Sequence, residues 1–302
     1  MVMNMYDELS IELSKGKILD DYVKEFLREF GYKDGIEILE FSNYLIREVE
    51  DILFALDAQN REPVELLNDL QSLLDKFVRD NLLNISNLED EIKLDNREKL
   101  LKTLYTLVYD EKQWVSYNIG SNKLVSNIRR CILKVLSAIT EFQNNQMADM
   151  DNLIEAMNDK YPIRQGGTNN QVFLSHAYID RLYTLGLFLY FYDRNIYLYI
   201  DWMHQPSGQL TKKIKNNLLI EIDNSKQILF LRSLNSELGL QGGNRQIREW
   251  CAWEIGTFDY KSHGTGDKYF IDRYRRNKKS KSRSQLIQDF LPFSYVQNGR
   301  LC

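Results

Sequence analysis

The sequence predicts an α+α/β chain of two domains: an N-terminal all-α helical bundle over residues 1–160 and a C-terminal α/β domain with a parallel sheet over 168–302. Three observations carry this. The 302 residues balance 39 Lys+Arg against 43 Asp+Glu, yet residues 1–160 hold 19 basic and 31 acidic side chains while 161–302 hold 20 and 12. Halves so differently charged read as separate domains. Only four of the 15 glycines (Gly16, Gly31, Gly35, Gly120) precede residue 160, as expected of a helical half. Apolar spacing then changes character, from three- and four-residue steps to short continuous runs.

The helical elements follow in order. Between Ile36 and Leu56 the residues Ile38, Leu39, Phe41, Leu45, Ile46, Val49, Ile52, Leu53 and Leu56 form one amphipathic stripe. Pro63 opens a second helix, with Leu66, Leu67, Leu70, Leu74, Phe77 and Val78 inward. Leu100, Leu101, Leu104, Leu107 and Val108 mark a third. Ser121 or Asn122 caps a fourth, running from Leu124 to Phe142. Short connections between such helices predict an up-and-down bundle. This half has no histidine, and its acids lie opposite the apolar stripes, so it assembles no chemistry. Self-association or sensing of a partner are the roles left to it.

After Pro162 and the turn residues Gly166–Asn170, Gln171–Ser175 (QVFLS) reads as a buried strand. A helix over Ile179–Tyr192 follows, then a strand at Ile196–Ile200, a loop with Pro206 and Gly208, and a helix over Leu210–Asp223. Gln227–Leu231 is a third strand; a glycine-rich loop (Gly239, Gly242, Gly243) leads to an aromatic helix, Trp250–Phe258. Further strand is expected only at Lys268–Ile271 and Phe290–Val296. Alternating strand and helix implies a parallel sheet, whose ligand crevice lies at the carboxyl ends of the strands. Those ends hold Ser175-His176, Asp201-Trp202 and Arg232-Ser233.

With 43% hydrophobic and 12% aromatic residues the chain can bury a core, which excludes a wholly disordered protein. Cys131, Cys251 and Cys302 are far apart, against both a disulfide framework and a metal site. No apolar run reaches membrane-spanning length, and Asp193 and Arg194 break Leu182–Ile200 into two elements. The N-terminal sequence lacks the pattern of a signal peptide, so a cytoplasmic location is expected. Gly264–Lys268 lacks the spacing of a phosphate loop, and no GxSxG elbow occurs. Arg273–Arg283 carries seven basic residues; it is read as a solvated segment or one docking on the acidic bundle, in preference to nucleic-acid binding.

The blocks VFLSHAYID (172–180), IYLYIDW (196–202), ILFL (228–231) and WCAWEIGTFD (250–259), in this order, resemble a bacterial Toll/interleukin-1 receptor (TIR) domain over residues 170–260. The resemblance implies a flavodoxin-like fold, homo-oligomerisation through the TIR and helical domains, and NAD as substrate, with no cofactor or metal. It also implies antiphage defence, with a phage component as trigger and NAD nucleosidase activity giving a linear or cyclic ADP-ribose product. Cleaving the nicotinamide–ribose bond develops an oxocarbenium-like positive charge that one placed carboxylate can stabilise. The nicotinamide leaves without a general acid, since the pyridine is already cationic.

In catalytic members that carboxylate is a glutamate two residues beyond an aspartate matching Asp201. Here Met203 stands at that position, and neither it nor Trp202 ionises. The acids left are Asp201 itself and Glu254, four residues after Trp250 on the aromatic helix. The alternative is a non-catalytic TIR adaptor signalling by TIR–TIR association. Ser175, His176, Trp202 and His204 are the candidate nucleotide contacts. Four of these candidates have a structural reading beside the functional one: an ordered loop for Asp201, a position usually structural in the family for Glu254, shielding of a sheet edge for Trp202 and solvation for His204.

Overall fold

A computed structural model describes residues 17–58, 61–82, 88–117, 123–146, 157, 159–161, 171–204, 212–233, 235–239, 245–273 and 284–302. The chain forms two compact units. One holds the described residues of Ile38–Gln146, the other those of Met1–Glu37, Met147–Arg275 and Ser282–Cys302. The first helix, α1 (Lys17–Glu29), thus belongs with the sheet, although the sequence division at residue 160 groups it with the bundle. No helix among the described residues is long and apolar enough to cross a membrane.

The helical unit is built from α2 (Lys33–Ala58), α3 (Pro63–Leu82), α4 (Leu88–Tyr117) and α5 (Leu124–Gln146). The expected stripes are its core: Leu45, Val49, Leu66, Leu70, Leu74, Leu104, Ile128, Ile132, Val135 and Ile139 are each at most 1% exposed. Tyr105 and Lys112 of α4 bond Asp75 and Gln71 of α3, so these two helices run antiparallel, as an up-and-down bundle requires. Gln143 of α5 donates to Ser42 Oγ and Asn43 Oδ1 of α2, both at 2.8 Å. The expected cap at Ser121 or Asn122, and the side chains of Phe77 and Val78, lie outside the described residues.

The other unit carries five parallel strands: β1 (Gln171–Ser175), β2 (Tyr197–Tyr199), β3 (Gln227–Arg232), β6 (Asp267–Asp272) and β7 (Leu291–Pro292). Two short strands, β4 (Glu237–Gly239) and β5 (Arg245–Ile247), pair antiparallel where the sequence reading placed only a loop. The sheet order is β2-β1-β3-β6-β7, all parallel. The chain leaves β1 to one side for β2 and returns to the other side for β3. That reversal makes a crevice at the carboxyl ends of β1 and β3.

A 3₁₀ turn (Tyr178–Asp180) and α6 (Arg181–Tyr192) follow β1; the short α7 (Asp201–His204) follows β2; α8 (Lys212–Asn224) and α9 (Glu249–Lys261) flank β3 in sequence. The apolar stretch expected to break near Asp193-Arg194 does so: Asn195 takes a positive φ of 60°, which asparagine tolerates, and the chain enters β2. Helix α1 packs on α6 through Leu19, Val23, Phe26 and Leu27, all nearly fully buried. A Cβ on Gly186 of α6 would stand 2.8 Å from Leu19 Cβ, so this close approach needs glycine. The Gly264–Lys268 stretch is an ordinary turn from helix to strand: Gly264 N–H donates to Asp259 O at φ 72°, and Asp267 and Lys268 already belong to β6. The basic run lies outside the described residues after Arg273.

Candidate functional site

Residues 171, 173 and 175 share one face of β1, because side chains alternate along a strand. Gln171 Nε2 accordingly bonds Glu221 of α8 at 2.9 Å, and Ser175 Oγ donates to Glu254 Oε2 of α9 at 2.6 Å. On α9 the inward positions Cys251, Glu254, Ile255 and Phe258 follow helical spacing, so Glu254 occupies a place in an otherwise apolar stripe. It is 2% exposed. Burial pushes its carboxyl well above the ordinary range; the charge of Asp201 pushes the same way, and hydrogen bonds from Ser175 and Trp250 oppose.

Asp201 opens α7 at the carboxyl end of β2, and its side chain remains 29% exposed. Its Oδ1 accepts the Trp202 backbone N–H at 2.7 Å and stands 3.5 Å from His176 Nε2. His176 is 5% exposed and follows β1 directly. Its Nδ1 faces the Leu174 carbonyl at 3.3 Å, and Nε2 makes no hydrogen bond. Cys251 Sγ donates to the His176 carbonyl at 3.3 Å, and burial raises this thiol so far that it stays protonated.

Four of the six residues singled out by sequence therefore meet: Ser175, His176, Asp201 and Glu254. The other two are turned to structural partners. Trp202 is 2% exposed, and its indole N–H donates to Thr184 Oγ1 of α6 at 2.9 Å, anchoring α7. His204 stacks on Tyr199 with ring centroids 4.7 Å apart and meets Tyr197 Oη at 3.2 Å. Burial lowers its ring below the ordinary range, while Glu221 and Asp201 oppose.

A second buried acid escaped the sequence reading. Asp180, 5% exposed, accepts Ser233 Oγ at 2.5 Å and Asn235 Nδ2 at 2.8 Å across the β1–β3 crevice. Burial raises its carboxyl, and those two bonds and the charges of Arg273 and His176 pull it back. Its place inside the VFLSHAYID block was a signal. Beside it Arg232, the last residue of β3, lies 3.1 Å from Glu237 Oε2 and 3.4 Å from Asp272 Oδ1. No group of three or more His, Cys, Asp or Glu side chains among the described residues is arranged to hold a metal ion.

The chain is similar to the probable 3′ cyclic ADP-D-ribose synthase ThsB′ of Bacillus cereus, 27% identical over 141 residues. That match takes in 46% of this chain and 64% of the relative, so the chain spans less than two thirds of the relative's length. No family model matches, and no solved structure matches with significance.

Proposed function

We propose that the chain is a TIR-domain effector of antiphage defence that cleaves NAD between nicotinamide and ribose, releasing a hydrolysed or cyclised ADP-ribose. One observation carries the reading: Ser175, His176, Asp201 and Glu254, far apart in sequence, converge where β1 and β2 end. Two others support it. The parallel strands run 2-1-3-4-5, the flavodoxin order that TIR resemblance implies. The relative in Bacillus cereus is named for making a cyclic ADP-ribose.

The chemistry assigned to these residues is electrostatic. Asp201 reaches solvent at the strand ends, and its negative charge stabilises the oxocarbenium-like ribose as the nicotinamide departs. The Trp202 N–H holds that carboxylate, and the His176 ring stands 3.5 Å from it. The helical unit serves self-association, and assembly in response to a phage component brings neighbouring TIR domains into working contact.

The test is incubation of the purified, assembled protein with NAD, following nicotinamide release and resolving linear from cyclic product by chromatography and mass spectrometry. Asp201→Asn lowers cleavage by about 10²–10³-fold, the range for removing one preorganised electrostatic partner. Absence of nicotinamide under every assembling condition sinks the enzymatic reading. One observation favours a TIR adaptor instead: Glu254, Trp202 and Met203 are all buried, at 2% exposure each. The adaptor predicts no cleavage, and association with a second TIR protein that Asp201→Asn leaves intact.

A further inference from the structure

Glu254 is a buried acid with an unusual set of neighbours. Its flanking positions in the α9 stripe are Cys251, Ile255 and Phe258, and none of the groups that shift its carboxyl is a cation. The same unit shows how a buried glutamate that keeps its charge is accommodated: Glu237, 4% exposed, sits against Arg232. Glu254 instead faces the Ser175 hydroxyl, the Trp250 indole and the negative charge of Asp201. The other titratable groups near it are the Cys251 thiol and the Tyr199 phenol, both kept in their neutral, protonated forms by burial, with His176 beyond Asp201. A second carboxylate charge in this dry place would face Asp201 with no cation to offset it and only the Ser175 and Trp250 hydrogen bonds in its favour, and desolvation disfavours it strongly.

We propose that Glu254 works as an uncharged acid that positions Ser175 and the end of β1, leaving Asp201 as the negative charge of the strand-end cluster. Helix α9 holds two consecutive residues there, Ser175 through Glu254 and the His176 carbonyl through Cys251. Those two grips fix where the His176 ring stands relative to Asp201. Glu254 is then a positioning residue acting through Ser175. Its kinetic consequence rests on the NAD-cleavage reading; its protonation does not.

Two measurements on the full chain test this separately. Infrared difference spectroscopy at pH 7 should show a carboxylic-acid C=O band, shifted in D₂O, that Glu254→Gln removes. In Asp201→Asn, where the repelling charge is gone, that band should titrate away at lower pH. In the cleavage assay Glu254→Gln, which keeps shape and hydrogen-bonding capacity, should restore most of what Glu254→Ala loses, while Asp201→Asn stays low. If Glu254→Ala does not fold, Glu254→Gln against Asp201→Asn makes the same comparison. The proposal is overturned if Glu254→Gln removes no such band, or if folded Glu254→Gln is as inactive as Asp201→Asn. A parent that cleaves no NAD ends the proposed function, and the band alone then decides whether Glu254 is uncharged.

Discussion

The two units bury polar groups in opposite ways. Among the described residues of the helical unit the buried polar side chains are Ser42, Asn43, Gln143 and Asn144, all uncharged. In the sheet unit they include His176, Asp180, Arg232, Glu237 and Glu254. All five lie at or just beyond the carboxyl ends of β1 and β3 or on the helix that faces them. A helix bundle meets its backbone hydrogen bonds internally and needs only a continuous apolar stripe. Charged groups out of water are costly unless paired, so their concentration at one end of the sheet marks the place where the fold accepts a cost.

The largest test of that contrast is the Arg232 pair. Arg232→Met leaves Glu237 charged in a site where it is 4% exposed, and breaking a buried pair by removing one partner costs about 3–5 kcal/mol. The combined Arg232→Met and Glu237→Leu change should recover most of this, because the pair as a whole repays little beyond its own desolvation. Denaturant unfolding of the three proteins measures both effects. A single substitution without effect would mean that the strand end is wet and the contrast false.

The helical counterpart should respond less. Gln143→Leu removes the amide that donates to Ser42 and Asn43, at a cost of about 1–3 kcal/mol for an acceptor left without its donor in a buried place. Ser42 still donates to the Ile38 carbonyl at 2.6 Å, which limits the loss to the Asn43 side. Hydrogen–deuterium exchange should show the loosening in α2 and α5. Equal destabilisation by Gln143→Leu and Arg232→Met would erase the difference between neutral and charged burial.

Sequence spacing read the two units unequally, for the same physical reason. The stripe of α5 was visible as Leu124, Ile128, Ile132, Val135 and Ile139, since period 3.6 is a local signal. The strands β1, β2 and β3 are visible as apolar runs; β6 exceeds the weaker run expected at Lys268–Ile271 by one residue at each end, and β7 falls within the one expected at Phe290–Val296. Helix α1 carries a stripe in Leu19, Val23, Phe26 and Leu27, but the partner that buries it, α6, lies more than 150 residues on. The β4–β5 pairing was hidden behind glycines that read as loop. At the site, Asp201, His176 and Ser175 were legible from the ends of strands. What spacing does not state is depth: that Glu254 and Trp202 are buried, that His204 lies against Tyr199, and that Asp180 joins β1 to β3 follow only from packing.

The smallest effect is a slope with pH, and its sign separates the units most finely. Glu254 is raised above its ordinary value of 4.5, mainly by burial, so between 4.5 and its folded value the native protein holds a proton that the unfolded chain has released. Stability therefore falls as pH rises through that window, by at most about 1.4 kcal/mol per pH unit for one proton. Asp180, also raised, adds in the same direction, whereas His204, lowered from 6.5, makes stability rise with pH up to that value. Subtracting the parent's unfolding free energy from that of Glu254→Gln removes the two common contributions, and the variant should gain on the parent as pH increases above 4.5. In the helical unit Glu111 is raised too, yet it is opposed by Arg130 and Lys134, so Glu111→Gln should give a shallower difference. A steeper slope for Glu111→Gln than for Glu254→Gln would move the uncompensated buried charge from the sheet to the bundle, and the strand-end cluster would lose its claim to be the exceptional part of the chain.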